Sequence, residues 1–200
     1  MAPRRRGLQE RGVTSPRTIH PALLHPYRAA FYVFLAARRT FAELSPDRGW
    51  RTWITPEILL GGFLVPSDVA ELGRLGVRAV VNATTELVEP VVTLRAAGID
   101  YLQIPCWDMK PPSPEDTDRA LTFLAEQIAA GHRVYVHCAS GVGRSVALVV
   151  CYLALHKGMS VEEAIAWIGA RRRVAMREGQ RQFVASYVAS RKGRVSAENV

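Results

Sequence analysis

Residues 134–150 read VYVHCASGVGRSVALVV. The apolar run that ends at His137 predicts a short buried strand. From Arg144 to His156 the chain is almost wholly apolar, which predicts a buried helix. The two are joined by a short loop that contains Gly141 and Gly143. A strand, a glycine-bearing loop and a helix in this order are typical of a domain in which strands and helices alternate.

The loop has the composition of an anion-binding cradle. Cys138 ends the predicted strand, and Arg144 begins the helix six positions later. The residues between them predict a loop whose backbone N–H groups curl around one tetrahedral anion. The first turn of the following helix adds its unpaired N–H groups and its dipole. The predicted phosphate-binding residues are Ala139, Ser140, Gly141, Val142, Gly143 and Arg144.

Cys138 is the candidate nucleophile. A cradle that stabilises a phosphate dianion also stabilises a thiolate, so we expect its pKa to lie below ~8.5, the value of a free thiol. Arg144 is expected to bind two phosphoryl oxygens, and Ser145 to donate a hydrogen bond to the sulfur as it leaves. A lone strand-end cysteine is usually a small buried apolar residue. The flanking apolar elements, His137 and the loop glycines favour the catalytic interpretation.

Outward from this segment, short strands alternate with helices. Strands are predicted at residues 53–54, 58–61, 79–82 and 99–104. Helices are predicted at residues 67–75, 86–97, 113–130, 160–170 and 180–191, with Ser67 as an N-cap and Ser160 in a capping box with Glu163. This order predicts an α/β domain with a central, mostly parallel sheet flanked by helices, and with the first two strands at its edge.

Composition limits the class of protein. A chain of 200 residues that is 48% hydrophobic and 22% charged fits one well-cored domain and excludes wholesale disorder. Three cysteines and no ligand-spaced histidines argue against a disulfide framework and against a metal or other cofactor. The net charge of +8, almost all of it arginine, favours a phosphorylated protein, a lipid phosphomonoester or another polyanion. No aromatic–basic interleaving lies near the loop, so no specific nucleic acid is expected.

The N-terminal region predicts an arm rather than a second domain. Residues 1–48 divide into a basic flexible arm and an amphipathic helix, at about 26–44, that either packs on the domain or contacts a membrane surface peripherally. The domain proper is expected over residues 49–191, with a tail at 192–200. An arginine-rich, acid-poor start resembles an organellar presequence, although a bacterial cytoplasmic origin explains it equally well. The expected location is therefore cytoplasmic or peripheral membrane, and mitochondrial if the source is eukaryotic.

A leaving alkoxide or phenoxide needs a proton, so a general acid is expected before the loop. The candidates are Asp100, Asp108, Asp116 and Asp118. Asp108 is favoured because Pro111-Pro112 would hold its loop over a pocket at the sheet edge. Asp116 and Asp118 fall in the first turns of a predicted helix, where acids commonly complement the dipole.

The motif His137-Cys138-x-x-Gly141-x-x-Arg144-Ser145 resembles the signature of the cysteine-dependent protein tyrosine phosphatases, in their dual-specificity branch. The resemblance covers about residues 50–191 and implies a protein-tyrosine-phosphatase-like fold, a phosphocysteine on Cys138, a clamp formed by Arg144 and the loop amides, and no metal. The family's acid lies on a loop about thirty residues before the cysteine, which Asp108 matches. His137 is expected to support the loop.

A closer resemblance is to the mitochondrial-type dual-specificity phosphatases that act on phosphatidylglycerophosphate. It rests on the aromatic-rich residues 25–44, on 48–53, on the strand Ile58 to Gly62 and on 178–180. The uncharged loop disfavours multiply phosphorylated inositol lipids. Phosphotyrosine, phosphoserine or phosphothreonine proteins stay open as substrates, with a non-catalytic phosphate-binding module and an RNA 5′-phosphatase as remote alternatives.

Three further features have modest expected roles. Cys106 is expected to be a packed strand-end thiol, with a disulfide to Cys138 under oxidation as the alternative. Gln180 lies where some relatives place a residue near the site, but an exposed glutamine at a helix start is commonplace. Residues 171–173, three arginines, are expected to complement the C-terminal dipole of a helix.

Overall fold

The computed structural model describes residues 26–44 and 49–197. Among the described residues, 26–34 belong to one compact unit and those from 35 onward to a second. The predicted arm before residue 26 and the end of the predicted tail lie outside the described residues.

Helices and strands alternate along most of the described chain. The strands are β1 Arg51–Trp53, β2 Ile58–Gly61, β3 Val77–Asn82, β4 Asp100–Gln103 and β5 Arg133–His137. The helices are α1 Pro26–Leu44, α2 Asp68–Arg74, α3 Val91–Ala96, α4 Pro114–Ala129, α5 Arg144–His156, α6 Val161–Gly169 and α7 Glu178–Ala197. None of these helices combines the length and apolar character that spanning a membrane requires.

The five strands form one sheet in the order β1-β2-β5-β3-β4. The pairs β2–β5, β5–β3 and β3–β4 are parallel, and only β1 runs antiparallel to its neighbour. The predicted mostly parallel α/β sheet is therefore confirmed. The edge position predicted for β2 is wrong: all four of its residues are buried and pair with β5, as its unbroken apolar sequence ILLG requires.

Helices cover both faces of the sheet. Val134 and Val136 of β5 pack into one cluster with residues of α4, α5, α6 and α7. Tyr135, between them, points to the opposite face, where α2 and α3 pack, as the two-residue period of a strand dictates. Helix α5 crosses the first face with every residue from Arg144 to Ala154 buried. This burial fixes the start of α5 against the end of β5.

Two predicted helix starts needed correction. The helix predicted over 86–97 begins only at Val91, with Pro90 at its N-cap. Residues 83–90 form a loop after β3 instead. Ser67 occupies the N-cap position of α2, but its side chain makes no capping bond. Asp68 instead accepts the Val65 N–H at 2.8 Å. The capping box of Ser160 and Glu163 is confirmed.

The C-terminal half of α1 contacts the residues that follow it. Leu35 is almost completely buried, and Arg39 donates two hydrogen bonds, at 2.8 and 2.6 Å, to the buried carboxylate of Asp68. The C-terminal half of α1 thus clusters with the residues that follow. At the other end, α7 continues through Ala197 rather than ending at Arg191.

Candidate active site

The loop between β5 and α5 lies at the carboxyl ends of the parallel strands, where ligands bind in open α/β sheets. It brings Cys138 to within 3.3 Å of the Ser145 hydroxyl, which donates a hydrogen bond to the sulfur. Only 3% of Cys138 is exposed. Burial by itself would raise the pKa of this thiol, but Arg144 and hydrogen bonds from Ser145 and from the Gly141 N–H outweigh it and lower the pKa. The site therefore favours a thiolate.

Backbone contacts on two sides hold the loop. The Phe63 N–H donates to the Ala139 carbonyl at 3.2 Å, and the Ala175 N–H donates to the Val142 carbonyl at 2.7 Å. Gly141 adopts the left-handed backbone conformation, with φ of +67°, and any Cβ there would collide with the backbone of Gly61. A glycine is thus required at this point of the loop.

Arg144 is buried and held by a bidentate ion pair. Its Nη1 and Nη2 donate to the two carboxylate oxygens of Glu86 at 2.9 and 2.7 Å, and Nη1 also donates to the Cys106 carbonyl at 2.9 Å. Glu86 was missed because its segment was predicted to be helical. The available signal was an acidic residue four positions after the end of β3, since β3 and β5 are parallel neighbours and end at the same edge.

Asp108 is brought to the same place. Its Oδ1 lies 3.3 Å from Arg144 Nη2, and 62% of its side chain is exposed. It sits in a tight turn in which the Lys110 N–H donates to the Trp107 carbonyl at 3.1 Å. The other three candidate acids bond to side chains outside the loop: Asp100 with Gln127, Asp116 with Arg119, and Asp118 with Tyr187.

Gln180 and Cys106 anchor the turn that carries Asp108. Both donate to the Lys110 carbonyl, Gln180 from Nε2 at 3.1 Å and Cys106 from Sγ at 3.3 Å. Gln180 is almost completely buried, so its expected exposure was wrong. Cys106 is a free, buried thiol, and burial raises its pKa to about 12. It is thus a protonated donor at neutral pH.

Arg172 lies beneath the loop rather than at a solvated helix end. It is buried and donates to the Leu60 carbonyl, and its Nη2 occupies the space beside Gly141. Burial lowers its pKa, while Tyr135 and Cys138 oppose that effect. Nothing in a run of three arginines tells which one turns inward, so sequence reasoning missed it.

Behind the loop, His137 faces a buried carboxyl group. His137 is stacked on Tyr135, with Nδ1 3.4 Å from the Cys138 carbonyl and Nε2 3.6 Å from Glu89 Oε2. Burial lowers the pKa of His137 to about 3. Burial, together with Asp68, raises the pKa of Glu89 to about 8. Both groups are therefore neutral at pH 7.

We expect Glu89→Gln to flatten the pH dependence of stability between pH 6.5 and 8. The pKa of the Glu89 carboxyl is 4.5 in the unfolded chain and about 8 in the folded one. Between these two pH values the folded chain keeps the proton and unfolding releases it, so the free energy of unfolding falls as pH rises. Above the folded pKa the decrease is complete. Over this window the loss from Glu89 is about 2 kcal/mol.

Urea unfolding of the two proteins at several pH values measures this effect. Groups such as Cys138 titrate in both, so the difference between the two curves isolates Glu89. The exposed Glu126 supplies a control, Glu126→Gln. Parallel curves for wild type and Glu89→Gln would contradict the prediction.

Comparisons with known proteins address the same region of the chain. Residues 60–188 match the family model of the dual specificity phosphatase catalytic domain. Phosphatidylglycerophosphate phosphatase PTPMT1 of Arabidopsis thaliana is 35% identical over 164 residues, covering 80% of this chain and 49% of that protein. The chain thus spans about half the length of this relative. PTPMT2 of the same organism is 32% identical over 164 residues, with 80% and 72% covered.

The solved structure of PTPMT1 in complex with PI(5)P superposes with a TM-score of 0.69 at 25% identity, over 73% of this chain and 99% of that one. The expected protein-tyrosine-phosphatase-like fold is thereby confirmed. The matched family model also confirms the expected enzyme class, a cysteine-dependent phosphoric monoester hydrolase. Together with the loop around Cys138, these matches identify the chain as a member of the dual-specificity phosphatase family.

Proposed function

We propose that this chain hydrolyses a lipid phosphomonoester through a phosphocysteine formed on Cys138. The observation that supports the phosphocysteine is the environment of the Cys138 sulfur. The sulfur accepts hydrogen bonds from the Ser145 hydroxyl and the Gly141 N–H, and the guanidinium of Arg144 stabilises its negative charge. These groups favour an ionised nucleophile beside a cation that can receive a phosphoryl group.

In the first step, the Cys138 thiolate attacks phosphorus and the bond to the leaving oxygen breaks. Arg144 and the loop N–H groups stabilise the charge on the transferring group. Asp108 gives its proton to the leaving oxygen, a role that its 3.3 Å distance from Arg144 allows. In the second step, Asp108 accepts a proton from water as that water attacks phosphorus. The S–P bond breaks, inorganic phosphate forms, and Ser145 stabilises the released thiolate.

Hydrolysis of an aryl phosphate tests this chemistry directly. We expect activity that vanadate inhibits and that EDTA leaves unchanged, since the proposed steps need only side chains and loop amides. Loss of activity on chelation, or indifference to vanadate, would contradict the phosphocysteine route.

Asp108→Asn is expected to slow turnover by about 10²-fold for alkyl phosphates. Poor leaving groups need the proton, whereas a nitrophenolate departs nearly unaided, so its turnover should change far less. Steady-state rates over a series of leaving groups measure the difference. Asp116→Asn is the matched control, because Asp116 bonds to Arg119 and Ser113. A uniform decrease across the series would exclude Asp108 as the acid.

The substrate that we favour is phosphatidylglycerophosphate, with phosphoproteins as the alternative. Relatives that carry this activity in their names are about one third identical to the chain. The net charge of +8 suits an anionic surface, and exposed apolar residues of α1, such as Phe41 and Leu44, suit peripheral membrane contact. A mitochondrial location would follow in a eukaryote, and a cytoplasmic face of the membrane in a bacterium.

Comparing phosphatidylglycerophosphate in vesicles with phosphotyrosine and phosphothreonine peptides tests this preference. We expect the larger kcat/KM for the lipid. The double substitution Phe41→Ser with Leu44→Ser should lower vesicle activity and leave aryl phosphate hydrolysis unchanged. Faster turnover of the peptides would favour a protein substrate.

A further inference from the structure

Two large apolar side chains stand exposed beside the candidate acid. Trp107 is 69% exposed and Met109 57% exposed, and they flank Asp108 in the sequence. Met109 also adopts a left-handed backbone conformation, with φ of 60°, which non-glycine residues seldom occupy. Neither residue packs into the core of the domain, and both are therefore available to contact a surface outside it.

The turn that carries these side chains is anchored from below. Its Lys110 carbonyl accepts hydrogen bonds from Gln180 and Cys106, and Asp108 lies beside Arg144. The anchored backbone therefore holds Trp107 and Met109 on the two sides of Asp108 in the sequence, in the turn beside the site. We call these two residues the apolar tip.

Exposed cations lie on the turn that carries the apolar tip and on the segment that is hydrogen-bonded to this turn. Lys110 belongs to the same turn, and Arg173, Arg177 and Arg181 are exposed on a segment that bonds to the phosphate loop through Ala175 and to the turn through Gln180. Within residues 107–110 and 173–181, the exposed acids are Asp108 and Glu178, so exposed cations outnumber exposed carboxylates on these two segments. Tryptophan beside arginine and lysine is the composition of a surface that binds an anionic membrane interface.

We propose that the apolar tip inserts into the interfacial region of an anionic bilayer. The mouth of the site then rests on the membrane, and Asp108 is held above a lipid phosphate at headgroup depth. This inference rests on the proposed lipid substrate, and it assigns the apolar tip as the element through which the enzyme contacts the membrane that contains this substrate.

Fluorescence quenching by brominated lipids tests insertion in the full chain. Vesicles of phosphatidylcholine with phosphatidylglycerol should quench part of the emission of the wild type, and Trp107→Phe should lose most of that quenching. The matched control is Trp167→Phe. Trp167 is partly exposed on α6 and donates to the Ile54 carbonyl, near the amino end of β2 and thus opposite the phosphate loop. Quenching that persists in Trp107→Phe would overturn the proposal.

Activity provides the second measurement. We expect Trp107→Ser with Met109→Ser to lower kcat/KM on vesicle-borne phosphatidylglycerophosphate about tenfold, with hydrolysis of p-nitrophenyl phosphate within about twofold of wild type. High salt should weaken vesicle binding, because the cations act through screened electrostatics.

The outcomes separate this proposal from the proposed function. Absence of aryl phosphatase activity in the wild type would defeat the catalytic assignment while leaving the quenching result to stand alone. A selective loss on phosphopeptides, with vesicle activity unchanged, would overturn the membrane assignment and make the apolar tip a peptide-docking surface.

Discussion

Replacing Cys138 with serine should reduce phosphomonoester hydrolysis by about 10⁴-fold or more. The loop lowers the pKa of the Cys138 thiol below its ordinary value, and no comparable effect can ionise a serine hydroxyl at pH 7. Serine is smaller than cysteine and keeps the surrounding contacts possible. Binding of inorganic phosphate or vanadate, measured by calorimetry, should therefore survive while turnover disappears.

Cys106→Ser is the matched control for this prediction. Cys106 is also buried near the loop, but its thiol is protonated and serves as a donor to the Lys110 carbonyl, which a hydroxyl can replace. We expect most of the activity to remain in this variant. Turnover that survives Cys138→Ser would remove the phosphocysteine from the mechanism.

Arg144→Lys is expected to lower kcat/KM by about 10³-fold, although the charge is conserved. The guanidinium is fixed by two hydrogen bonds to Glu86 and one to the Cys106 carbonyl. A lysine ammonium has neither the fork nor the reach to make these bonds and to clamp two phosphoryl oxygens as well. It would also leave the Glu86 carboxylate short of a partner.

Both steady-state kinetics and vanadate affinity should report the loss, because the transition state and its analogue need the same bidentate clamp. Arg119→Lys on α4 is a suitable control, since Arg119 is exposed and pairs only with Asp116 among the ion pairs described. A vanadate affinity unchanged in Arg144→Lys would contradict the clamp.

The fold was predictable where local pattern and tertiary packing agree. The apolar run in α5 gave both of its ends, Arg144 and His156, and the Ser160 capping box gave the start of α6. The helix predicted over 86–97 starts later than expected, because Pro90 stands at its N-cap and the Glu86 side chain is bound to Arg144.

Some residues of the candidate site were likewise predictable from the sequence, and others were not. The residues of the phosphate loop are contiguous, so their types and spacing already indicate the chemistry. Glu86 and Glu89 come from the loop after β3, and Arg172 comes from the segment after α6. All three act only through contacts made after folding. A single sequence gives no sign of which charged residues turn inward, and burial is what distinguishes them from solvated neighbours.

The close packing of the Gly141 backbone against Gly61 should slow local opening of the phosphate loop. Loops usually open independently of the elements they connect, yet this one cannot separate from β2 without breaking the Phe63–Ala139 contact and parting two backbones that touch with no side chain between them. The Phe63 amide hydrogen, which bonds to this loop, should therefore exchange with deuterium as slowly as the amides of the central strands, so that the anion cradle opens only when the sheet itself unfolds.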